Sequence, residues 1–128
     1  MVIVVNYALH LLAAGLLLLV FFLVYTWATP FDEMTLIRQG NVAASLTLGG
    51  ALIGFSMTVA SGLIHTDTLL SFLGWSAAAA AIQLLTYLLV TRLLHMSKSQ
   101  IEGNNVAFGV LLASISISVG AISAGALS

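Results

Sequence analysis

The side chains able to carry charge, hold a metal or act as nucleophiles are few and widely spaced. Asp32 and Glu33 stand side by side behind a long apolar run, where acids suit the positive end of a helix dipole or the recruitment of cations. His65 and Asp67 form a second small cluster, too few groups to hold a metal. Gln83 lies deep in an uncharged stretch, Asn41 and Asn105 each precede one, and Ser114, Ser116 and Ser118 alternate with isoleucines in the last. Polar groups inside a bilayer are costly, so each is a functional candidate. Two roles fit them. Gln83, Asn41, Asn105, Ser114 and Ser118 can line a path for small ions or polar solutes, with Asp32 and Glu33 at its mouth. Alternatively, the asparagines cap helices while Gln83 and the serines join them.

Enzymatic chemistry finds no footing in these residues. There is no His-Glu-x-x-His for zinc, no Gly-x-Ser-x-Gly elbow and no phosphate-cradling glycine loop with Lys. Cysteine is absent, which excludes disulfides and thiolate metal centres. Three basic residues are too few to neutralise a nucleic-acid backbone. The expectation is a protein that is not an enzyme, needs no cofactor and has no nucleic-acid partner.

The elements that position these residues follow from composition. With 61% hydrophobic and 5% charged residues, lipid is the expected solvent and partner. The charged side chains leave four uncharged runs, each long enough to cross a hydrocarbon layer about 30 Å thick as a helix. The predicted spans are 7–28, 42–64, 69–89 and 106–127, in a single membrane domain covering 1–128. The first run lacks the basic leader and cleavage site of a signal peptide. The fold class is all-α integral membrane protein. Arg38, Arg92 and Lys98 fall in the two loops on one side, which predicts a cytoplasmic face there and both termini outside. Tyr25, Trp27 and Tyr87 are expected at the inner interface, and Tyr7, Phe72 and Trp75 toward the outer one.

Both cytoplasmic loops carry helix punctuation. Thr29 as a cap, Pro30 at the first helical position and the two acids predict a short interfacial helix, with Phe31, Met34 and Ile37 dipping inward. Gly40 would end it and Asn41 cap the second span. In the other loop Ser99 and Glu102 have capping-box spacing, Gly103 can end the turn, and Asn104 or Asn105 can cap the fourth span. A shift of 64 positions lays Ile37, Asn41, Val42 and Ala43 on Ile101, Asn105, Val106 and Ala107. Two parallel two-helix repeats, about 1–64 and 65–128, are therefore expected. Small residues at four-residue spacing, Gly50, Gly54, Thr58 and Gly62 in one span and Ser116, Gly120 and Ala124 in another, mark faces for close helix contact, within the chain or between copies.

Several of these segments together resemble the YjfL-like bacterial inner-membrane proteins. The carriers are Thr29-Pro30-Phe31-Asp32-Glu33, Gly40-Asn41, Ala43-Ala44, Leu48 through Gly54, Gln83-Leu84-Leu85, Arg92, and Asn105-Val106-Ala107 with Ser114, Ser116 and Gly120. The resemblance implies a four-span, internally duplicated inner-membrane protein without established activity. It also implies a membrane-remodelling protein as partner and a role in envelope maintenance. Two functions are expected from all this: a self-associating structural or accessory subunit, or an oligomeric channel or transporter component.

Overall fold

The structure is a computed structural model that describes residues 2–29, 32–94 and 97–126. Its elements are α1 (Val2–Ala28), α2 (Glu33–Arg38), α3 (Val42–His65), α4 (Leu69–Leu94), α5 (Ser97–Glu102) and α6 (Val106–Ala126). Helices α1, α3, α4 and α6 are the four long and apolar enough to span a membrane, which makes this a helical membrane protein. Each falls on a predicted run. α1 starts earlier, at Val2, because nothing charged or helix-breaking precedes Tyr7, and α4 continues past residue 89 to Leu94. Leu127, the predicted end of the last span, lies outside the described residues, as do Pro30 and Phe31.

Helix α3 is the centre of the bundle. Over its most apolar stretch 56% of residues are buried, against 11% for α1, so α1 sits at the periphery with most of its surface toward lipid. The dominant contact joins α3 to α6, and it is made by backbone. A Cβ on Gly120 would lie 2.1 Å from the Gly54 carbonyl oxygen, one on Gly54 would lie 2.4 Å from the Ser116 oxygen, and one on Gly50 would lie 2.5 Å from Ala113 Cα. Gly109 meets Ala43 in the same way. Lipid tails are as apolar as leucine, so helices in a bilayer associate through such close approach and not through hydrophobic collapse. Matched positions rise together along both helices, from Ala43 beside Gly109 to Ser61 bonded to Ala124, so α3 and α6 run parallel. Gly62 instead receives Phe72 of α4, whose ring is fully buried against the bundle. Phe21 of α1 stacks on Phe55 of α3 at 4.4 Å, and this anchors the peripheral helix.

Both short helices end in the same turn. Gly40 and Asn41 donate to the Ile37 and Leu36 carbonyls, and Asn104 and Asn105 donate to those of Ile101 and Gln100. This is the paired hydrogen bonding of a Schellman cap, repeated 64 residues on. The turn requires a left-handed residue, supplied by Gly40 at φ 84° and by Asn104 at φ 59°. Asparagine tolerates that region because its short side chain bonds locally. The second turn therefore closes on Asn104 and not on Gly103. Two other expected signals are displaced. The N-cap of α2 is Asp32, not Thr29, and Ser99 lies inside α5, so no capping box opens that helix.

Gly49 faces open space, whereas Gly54 abuts the Ser116 carbonyl and the Gln83 amide. Gly54→Ala is expected to cost roughly 1–3 kcal/mol and Gly49→Ala less than about 0.5 kcal/mol, read as unfolding midpoints in mixed micelles. Equal midpoints would refute the primacy of the α3–α6 contact.

Candidate functional site

The polar candidates resolve into three groups. At the start of α3, Asn41 Oδ1 accepts from the Ala44 N–H at 2.9 Å while its Nδ2 donates to the Ile101 carbonyl at 2.7 Å. Asn104 Oδ1 in turn accepts from the Ala43 N–H at 3.0 Å. The end of α5 and the start of α3 are thus tied by bonds running in both directions. Ile101, fully buried with Ala43, Ala44 and Leu112, fills the space beneath. Asn105 does not join Asn41. It is exposed, accepts from Phe108 N–H as the cap of α6, and donates to Gln100 Oε1 at 2.6 Å.

The second group is in mid-membrane. Gln83 of α4 is buried and its Nε2 donates to the Ser116 carbonyl of α6 at 3.2 Å. Thr58 donates to the Gly120 carbonyl at 3.1 Å and Ser61 to that of Ala124 at 2.7 Å. Gly50, Gly54, Ser116 and Gly120 all lie inside this three-helix seam. Ser114 and Ser118 point the other way. Both are exposed, and each hydroxyl bonds the carbonyl one turn back on its own helix, Val110 and Ser114 respectively.

The third group was not visible from residue types alone. Asp32 is exposed, and the Thr35 hydroxyl and N–H hold its carboxyl below the usual range. Glu33 beside it is 2% exposed. Burial pushes its carboxyl up to about 7, with Asp32 adding to the rise and the Thr29 hydroxyl opposing it. Tyr25 of α1 and Tyr87 of α4, expected at the interface, are buried here with ring centroids 5.1 Å apart. The available signal was position: Tyr25, Glu33 and Tyr87 all belong to the α2/α5 end of the bundle. Which way the rings turn is decided by neighbouring helices, and a uniformly apolar span does not encode it.

Fold and site define a class: a four-span helical membrane protein whose interior polar groups tie helix to helix. Comparison with known proteins specifies it further. The family described as Domain of Unknown Function (DUF350) matches residues 1–127, and the chain belongs to that family. It is 27% identical over 111 residues to the UPF0719 inner membrane protein YjfL of Escherichia coli (strain K12), covering 87% of this chain and 84% of the relative. It is 28% identical over 118 residues to the UPF0719 transmembrane protein YshE of Bacillus subtilis (strain 168), covering 91% and 87% respectively. No solved structure matches.

The two asparagines at equivalent junction positions make unequal bonds, so their removal should cost unequal amounts. Asn41→Ala loses a buried cap and the bond across to the Ile101 carbonyl, which keeps only the Asn104 N–H, at about 1–3 kcal/mol, while Asn105→Ala loses an exposed cap at about 0.5–1 kcal/mol. Denaturation midpoints of the two variants test this, and a larger loss for Asn105→Ala would contradict the two-way tie.

Proposed function

We propose that this protein is a non-catalytic, self-associating accessory subunit of the bacterial inner membrane. The observation that carries this reading is how the interior polar groups are used. Gln83, Thr58 and Ser61 each donate to a backbone carbonyl of α6, so their hydrogen bonds join helices and do not face a water-filled path. A channel reading needs the Gln83 amide to meet water, and it is buried. Self-association is supported by what the chain leaves uncovered. The outward side of α6 presents Ser114, Ser118, Ala121 and Gly125, small residues of the kind that seat α3 against α6 on the other side. The inner-membrane assignment follows the printed name of the Escherichia coli relative. A role in envelope maintenance beside a membrane-remodelling partner is the extension that the resemblance to YjfL-like proteins suggests. The positions of Arg38, Arg92 and Lys98 support a cytoplasmic α2/α5 end and external termini.

Single cysteines in this cysteine-free chain test the reading directly. Ser118→Cys is expected to crosslink between copies in native membranes, and the mass of the complex in nanodiscs should exceed that of one chain. Gln83→Cys should resist water-soluble thiol reagents. A monomeric mass without crosslinking overturns self-association, and rapid labelling at Gln83→Cys turns the assignment toward a conduction pathway.

A further inference from the structure

At the α2/α5 end of the bundle, three buried oxygens have no hydrogen-bond partner among the described residues: Tyr25 OH, Tyr87 OH and Glu33 Oε2. They come from three different helices. Their side chains are 1%, 4% and 2% exposed, respectively. The two rings meet edge to face, and both phenols lie within electrostatic reach of the Glu33 carboxyl. The other Glu33 oxygen accepts from the Thr29 hydroxyl, whose own N–H is bonded one turn back to the Tyr25 carbonyl. Tyr25, Thr29 and Glu33 are thereby linked in one local framework, with Tyr87 placed against it from α4.

A buried carboxylate is costly unless it is paired or takes up a proton, and a buried hydroxyl without a partner costs about 1–3 kcal/mol. Among the described residues, no basic side chain answers this one. Arg38 of α2 and Arg92 of α4 are both exposed, and Asp32 adds negative charge beside Glu33. The one titratable side chain of α3, His65, stands at the opposite end of that helix. What converges here is a set of hard oxygens: one carboxylate, two phenols and one aliphatic hydroxyl. Oxygen-only sets with a single negative charge match alkali cations, and they lack the imidazole or thiolate that transition metals favour. A groove of about 480 Å³ is lined by Trp27, Thr29, Asp32, Glu33 and Met34, and so borders the carboxylate side of this set. Asp32, exposed at that groove, attracts cations toward it.

We propose that Glu33, Tyr25, Tyr87 and Thr29 form an oxygen-lined site that binds one monovalent alkali cation, for which sodium is the test ion. Binding neutralises the buried carboxylate and draws the ends of α1 and α4 onto α2. The bound ion is then a structural pin at the bundle end, independent of whether copies of the chain associate.

The experiment uses the full-length protein in nanodiscs at a pH of about 8, where carboxyl groups are ionised. Thermal midpoints are recorded while sodium chloride replaces choline chloride at constant ionic strength. Sodium is expected to raise the midpoint saturably, as linkage requires of a ligand bound only by the folded state. Glu33→Gln, which keeps the shape and removes the charge, should abolish the response. Tyr25→Phe combined with Tyr87→Phe keeps both rings and should weaken sodium binding by about tenfold or more. The double variant carries the test if the Gln substitution does not fold. Equal midpoints in sodium and choline would overturn the site, as would a full response in Glu33→Gln or in the double Phe variant.

Discussion

Everything in this bundle depends on how closely the backbones of α3 and α6 approach. The carbonyl of Gly54 lies where a side chain on Gly120 would begin, and Gly50 and Gly109 admit Ala113 and Ala43 in the same way. Such proximity brings backbone carbonyls of α6 within reach of hydroxyls on α3, so Thr58 and Ser61 can donate across the seam. It also builds the shelf on which the Gln83 amide rests, over Gly54 and against the Ser116 carbonyl. α4 is positioned by that amide and by Phe72 over Gly62, and α1 is added last through Phe21 on Phe55. Burial falls in the same direction, from the central α3 to a peripheral helix that is mostly lipid surface.

The sequence disclosed the elements better than their faces. Uncharged runs bounded by Asp32, Arg38, Asp67, Arg92 and Glu102 mark four spans because an uncompensated charge in hydrocarbon is expensive, and that constraint is nearly independent of context. The glycines of α3 and α6 were also legible, since close contact in lipid selects for small side chains. What stayed hidden is whatever a neighbour decides. Thr29 has the chemistry of a cap, yet Asp32 takes the role and leaves the threonine hydroxyl to Glu33. Gly103 is the residue expected in a left-handed turn, but Asn104 adopts it because its amide also gains Ala43 N–H across the interface. Tyr25, Tyr87 and Phe72 turn inward against the usual habit of aromatic rings near headgroups, because the bundle offers them partners. A span that is apolar on every side carries no periodic signal to announce such choices.

The interior polar groups are used in two places. Along the α3–α4–α6 seam, Thr58, Ser61 and Gln83 spend donors on backbone carbonyls of α6, while Ser76 Oγ and Gln83 Oε1 are buried without a partner among the described residues. At the α2/α5 end, polarity is concentrated and incompletely paired: a buried carboxyl, two phenols and a hydroxyl sit a few residues from exposed Asp32.

The left-handed residues of the two loops are alike in backbone and unlike in what they hold. Gly40 and Asn104 occupy the same backbone geometry, but only Asn104 has a side chain, and that side chain holds the first turn of α3. Glycine at position 104 would keep the turn and lose that bond. One amide, at a position where most residues are sterically excluded, thus acts as a key that fits a single orientation.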